Sequence, residues 1–159
     1  VQTAHQKGVK VLLKPCKVDA IDEEILPLVD TLMPNRKEIE KLVPGDASYE
    51  EKAQYFLDRG VKRVIITLGH RGCYLRDHEH SLYFPAAKVT PVDTTGAGDA
   101  FAATLACYLA DGWDIVQAIR YATVAAGLST TRQGVPNSLV DNESIALFMA
   151  QEKNASTEP

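Results

Sequence analysis

The residues best equipped for chemistry stand in one run, PVDTTGAGDAFAATL, from Pro91 to Leu105. Gly96, Ala97 and Gly98 are three small residues that stop at a carboxylate, Asp99, and an apolar helical pattern begins at once. The first N–H groups of an α-helix lack intrahelical partners and carry the positive end of the macrodipole, about half an elementary charge. Small side chains there let an anion reach the backbone, whereas a carboxylate would repel it. Two readings therefore stand open: Asp99 merely helps to cap the helix, or the bare helix N-terminus holds an anion on its backbone N–H groups. Spacing alone does not choose.

Three familiar phosphate cradles are excluded. No GxxxxGK[ST] string occurs, which removes a P-loop. Gly96 and Gly98 begin a GxGxxG fingerprint, but Phe101 occupies its third glycine position, so the close helix–strand approach of a dinucleotide fold is denied. The kinase glycine-rich loop fails on the same residue.

Other residues invite chemistry more quietly. Asn35 and Glu38 have N-cap and N3 spacing, a capping box in all but the first residue type. Thr67, Gly69, His70, Arg71 and Gly72 form a glycine-rich turn at the end of an apolar run, where ligands gather in open α/β sheets, although a tight turn needs such glycines anyway. His78, Glu79 and His80 alternate at a hairpin tip and so point to opposite sides, with no further cluster to make them a metal site. Cys16, Cys73 and Cys107 form no CxxC pair; an odd count fits free thiols in a reducing cytosol, each serving as a small buried or half-buried apolar residue.

The elements that must position these groups read as an alternation. Residues 1–8 are the tail of a helix ending at Gly8, Val9–Pro15 and Val29–Pro34 are short apolar strands, and IDEEILPLV between them is a short amphipathic helix. Asn35–Val43 and Ser48–Arg59 are helices, the second stopped by Gly60. Val61–Gly69 is a strand whose β-branched VIIT suits burial on both faces. GCYLRDHEHSLYFPA is a hairpin with its tip at Asp77–His80. Ala97–Ala110 is a helix with Phe101, Leu105, Tyr108 and Leu109 on one stripe, closed by Gly112. Asp114 caps the next helix with Gln117 in capping-box position, TTRQGVPNS is a loop, Asp141–Gln151 is a last helix, and the residues from 153 on are a flexible tail. Such alternation predicts an α/β domain with a mainly parallel sheet covered on both faces.

At 159 residues the chain can bury a real core, and 45% hydrophobic with 24% charged residues is an ordinary globular balance. No apolar run nears the ~18 residues of a membrane span, and VQTAHQKGVK has no signal-peptide core. A net charge of −4 without a Lys/Arg cluster argues against nucleic acid.

VDTTGAGDAF resembles the C-terminal signature of the ribokinase-like, or PfkB, carbohydrate kinases, a long and specific motif; only Thr104, where the family has Gly or Ala, departs mildly. The resemblance implies a ribokinase-like three-layer α/β/α fold and ATP-dependent transfer of the γ-phosphoryl group to a hydroxyl of a sugar or sugar-like substrate. Carried over residue by residue, Gly96, Ala97 and Gly98 are the anion hole and Asp99 is the base. Asn35 and Glu38 match an NxxE motif that holds the magnesium–phosphate network through water. Thr67, Gly69, His70, Arg71 and Gly72 match a segment lining the nucleotide phosphates and ribose, and Thr123 falls near the adenine. Asp93, Thr95, Ser129, Arg132, Gly134 and Ser138 match a segment binding a monovalent cation such as K+, mostly through backbone oxygens. The implied cofactors are ATP and Mg2+, the partner a small molecule, and the full-length assembly a cytoplasmic homodimer.

The resemblance covers residues 5–150 and only the C-terminal half of a family member; the GGxxxN-type sugar motif and β-lid of the N-terminal half are not found. The chain is thus expected to be a piece of a longer kinase. The rival expectations are a nucleoside or vitamin kinase of the same superfamily and a nucleotide-binding fragment without turnover.

Overall fold

The structure is a computed structural model that describes residues 1–16, 19–134 and 140–155. It divides into two compact units, Val1–Phe84 and Pro85–Pro159, each built around its own apolar cluster.

In the first unit, α1 (Gln2–Gln6) leads into β1 (Leu12–Leu13), a 3-10 helix (Glu23–Leu28), β2 (Thr31–Leu32), α2 (Arg36–Leu42), α3 (Tyr49–Leu57), β3 (Arg63–Thr67), β4 (Cys73–Asp77) and β5 (Ser81–Phe84). The five strands form one sheet in chain order. β1, β2 and β3 are parallel, and β4 and β5 add to β3 as an antiparallel hairpin, so the sheet is mixed. Val64, Ile65 and Ile66 are all fully buried, which consecutive residues of a strand achieve only when both faces are covered. Leu26, Val29, Leu32, Ile39, Phe56 and Val64 are among the buried residues packed together in this unit.

Several boundaries differ from the sequence expectations, for identifiable reasons. The segment after Asp22 winds as a 3-10 helix rather than an α-helix; Pro27 lies inside it and cannot donate a backbone hydrogen bond. β1 and β2 shrink to two residues each, because only Leu12–Leu13 and Thr31–Leu32 are in ladder register. Cys16 and Cys107 are exposed, so only Cys73 is the buried thiol expected; Cys107 lies off the buried Phe101–Leu105–Tyr108 stripe of its helix.

The second unit is helical: α4 (Ala97–Ala110), α5 (Ile115–Ser129) and α6 (Asn142–Ala155). α6 runs beyond Gln151 to Ala155, since nothing between them breaks a helix; the rest of the expected tail, 156–159, lies outside the described residues. Gly112, at φ 81°, ends α4, and Asp114 caps α5 by accepting from the N–H groups of Val116 and Gln117. Gly127 on α5 sits where a Cβ would come within 2.7 Å of Ala87 Cβ, so the small residue is required for the segment after β5 to pack on the helix.

Candidate functional site

In the first unit the candidate residues gather at the carboxyl ends of β2 and β3, the edge where open α/β sheets bind ligands. Asn35 forms an isolated parallel bridge with Thr67, and the Thr67 N–H donates to the Pro34 carbonyl at 3.0 Å. The Asn35 side chain accepts from the N–H groups of Lys37 (2.9 Å) and Glu38 (3.0 Å), while Glu38 Oε2 accepts from the Asn35 N–H at 2.7 Å. This reciprocal capping box fixes both side chains. It leaves Glu38 Oε1 without a donor among the described residues. A half-buried carboxylate oxygen with no protein partner suits a hard cation or its water.

Gly69, His70 and Arg71 wind into one 3-10 turn closed by Gly72, whose φ of 88° and ψ of −129° suit only glycine. The Leu68 N–H donates to the Gly72 carbonyl at 2.8 Å, so the turn closes on itself and carries His70 and Arg71 outward, both exposed. Arg71 Nη2 donates to the Tyr49 hydroxyl at 3.2 Å. Tyr49, the first residue of α3, escaped the sequence reading because no spacing rule links it to a turn twenty-two residues on.

In the second unit, Gly96 stands at the N-cap of α4 with φ 82°, a left-handed conformation that favours glycine. Its carbonyl accepts from the N–H groups of Asp99 and Ala100, both at 2.9 Å, and the Ala97 N–H reaches the Thr94 carbonyl at 3.3 Å. The N–H groups of Gly96 and Gly98 find no acceptor among the described residues. Two free donors at a helix start, flanked by residues with little or no side chain, make a backbone cradle for an anion. Asp99 lies in the first turn with an exposed side chain. Phe101, in place of the third fingerprint glycine, is buried.

Of the residues matched to a cation segment, Asp93, Thr95 and Gly134 meet at the loop leading into that turn. Asp93 Oδ1 accepts from the Thr95 N–H at 2.9 Å, and Asp93 Oδ2 accepts from the Gly134 N–H at 3.2 Å. The N–H groups of Val92 and Asp93 both donate to the Thr130 carbonyl, at 2.7 and 3.0 Å. The Thr95 N–H, the Thr95 hydroxyl and the Gly134 N–H, in that order, hold the Asp93 carboxyl below its ordinary value. The acceptors in this loop pair are oxygens, the atom type that hard cations take as ligands. Ser129 is buried and spends its hydroxyl on the Ala126 carbonyl at 2.8 Å. Arg132 is exposed and lines a groove of about 230 Å³ with Thr131, Asp141 and Phe148. Ser138 lies outside the described residues. Thr123 is buried in α5 and donates its hydroxyl to the Ile119 carbonyl at 2.8 Å, so only the rest of its side chain is left to face a ligand.

At the hairpin tip, Asp77 accepts from the N–H groups of Glu79 (2.9 Å) and His80 (2.7 Å) and pairs with His80 Nδ1 at 2.9 Å. The His80 ring therefore completes the tip, and His78 is exposed.

Comparison with known proteins places the chain among carbohydrate kinases. A family model described as the pfkB family carbohydrate kinase matches residues 1–142. A ribokinase of Staphylococcus aureus is 34% identical over 143 residues, covering 87% of this chain and 47% of that protein. The crystal structure of a ribokinase from Thermotoga maritima superposes with a TM-score of 0.86 at 34% identity, covering 93% of this chain and 52% of that one. An Arabidopsis thaliana ribokinase complexed with ribose and ATP superposes with a TM-score of 0.84 at 29% identity, covering 93% of this chain and 50% of its own. The chain thus spans about half the length of these relatives.

Proposed function

The chain belongs to the pfkB family of carbohydrate kinases and has their ribokinase-like α/β fold, and from that premise we propose that it supplies the C-terminal, nucleotide-binding half of an ATP-dependent sugar kinase. The carrying observation is the turn at Gly96–Asp99, where two backbone N–H groups with no acceptor among the described residues precede a first-turn carboxylate. The contradiction of an anion beside an anion cradle disappears once each has its own target. The backbone donors hold the γ-phosphoryl group, and Asp99 takes the proton of the acceptor hydroxyl. The freed oxygen attacks phosphorus as the bond to the bridging oxygen of ADP breaks, and the proton stays on Asp99. Positioning and electrostatic stabilisation carry this chemistry.

Glu38, oriented by Asn35, would help to hold magnesium; Mg2+ there would neutralise charge developing on the phosphate oxygens. Gly69–Gly72 and Arg71 line the nucleotide phosphates, and Thr123 borders the base. Backbone oxygens of the segments carrying Asp93, Thr95, Ser129, Arg132 and Gly134 would hold a monovalent cation. The ribokinase relatives make a pentose such as ribose the favoured acceptor. The test is Asp99→Asn in the protein that carries this chain. Turnover should fall about 10²–10⁴-fold with ATP affinity little changed. Retained turnover would remove Asp99 from the base role.

A further inference from the structure

We infer that Asp93 is a positioning residue: its carboxylate clasps the loop at residues 92–95 to the loop at 130–134 and so sets the turn at Gly96–Gly98 before any ligand arrives. The inference rests on the anion-hole role proposed for that turn. A local Asx turn uses one side-chain oxygen, and here Oδ1 on the Thr95 N–H supplies it. Oδ2 does something a local turn does not require. It reaches the Gly134 N–H, 41 residues along the chain. The Thr130 carbonyl, at the end of α5, answers by accepting from both Val92 and Asp93. The two loops are therefore sewn together by hydrogen bonds in both directions, and the seam lies directly before the left-handed Gly96. Charge-assisted bonds donated to a carboxylate are the stronger kind, and with both carboxylate oxygens engaged, the backbone direction entering Gly96 is fixed. Misplacement of a reacting group by about 1 Å can cost about 100-fold in rate.

The two variants differ in which bonds they keep. Asp93→Asn retains one oxygen for Thr95 but turns an amide NH2 toward the Gly134 N–H; Asp93→Ala loses both acceptors. Amide hydrogen exchange by NMR on the unmodified chain should show Thr95 and Gly134 protected about ten-fold or more over Thr94 and Gln133. Protection at Gly134 alone should vanish in Asp93→Asn, and at both in Asp93→Ala. In the protein that carries this chain, kcat should fall about 10–100-fold in Asp93→Ala while KM for the sugar stays within about two-fold. An unprotected Gly134 amide in the unmodified chain, or an unchanged kcat in a folded Asp93→Ala, would overturn the clasp. The catalytic role fails differently, through an Asp99→Asn variant that still turns over. The amide protections then judge the clasp alone.

Discussion

Glu38 carries two roles that one substitution can separate. Its Oε2 closes a capping box on the Asn35 N–H at 2.7 Å, and its negative charge is proposed to organise magnesium. Removing the side chain with Glu38→Ala costs the box. A hydrogen bond to a charged group contributes about 1.5–3 kcal/mol, and half-burial brings the expected loss to about 1 kcal/mol. For a chain of this size that lowers Tm by about 2–4 °C. Glu38→Gln keeps a carbonyl oxygen at the same reach, and glutamine serves a capping box as glutamate does. Its stability should stay within about 0.5 kcal/mol of the unmodified chain. Its charge is gone, however, and loss of a residue that orients a metal's water costs about 10–100-fold in metal affinity. Urea unfolding followed by far-UV circular dichroism measures the first quantity. The Mg2+ concentration giving half-maximal turnover measures the second. The reasoning fails if Glu38→Gln is as unstable as Glu38→Ala, or if it unfolds normally and its magnesium requirement does not move.

Two further outcomes follow from the geometry. Gly96→Ala forces a side chain into φ 82°, costing about 1–2 kcal/mol in thermal or urea unfolding, and weakens nucleotide binding at the same time; unchanged stability would mean the turn relaxes elsewhere. Burial raises the Asp30 pKa, but the Lys62 hydrogen bond, the Val11 N–H and the charges of Lys10 and Lys62 outweigh it, so the net shift is downward from 3.8. A carboxyl depressed in the folded state contributes stability above its unfolded value and loses it as pH falls through the folded one. Asp30→Asn should therefore lower stability by about 1 kcal/mol at pH 7, and the gap should close below the ordinary carboxylate range; a pH-independent gap in urea titrations would contradict the ion pairs.

The parts of the molecule legible from sequence are those with strong local punctuation. α4 runs over Ala97–Ala110 as its glycines and apolar stripe predict, and the Asn35–Glu38 box forms both bonds. The hairpin turns at Asp77–His80, where the polar run interrupts two apolar ones. What could not be read depends on residues far apart in the chain. The span of β1 and β2 is decided by which residues meet a neighbouring strand, and apolar runs alone overstate it. The Arg71–Tyr49 bond and the reach of Asp93 to Gly134 join segments that no periodicity connects. The role of Asp99 was open from spacing, since caps and cradles use the same helix start; family membership, not local pattern, favours the base.

The second unit also contains Trp113, the chain's one tryptophan. Its ring lies 4.5 Å from Tyr108 and 5.1 Å from Tyr121, and those two rings are 5.2 Å apart. At such separations light absorbed by either tyrosine is handed to the indole and leaves as tryptophan emission. The tyrosines of the first unit, Tyr49, Tyr55, Tyr74 and Tyr83, have no indole within their own unit. The molecule thus carries a built-in optical label on its helical unit: excitation at a tyrosine wavelength, read at the indole band, follows the α4–α5 corner as the chain unfolds, while circular dichroism follows the chain as a whole.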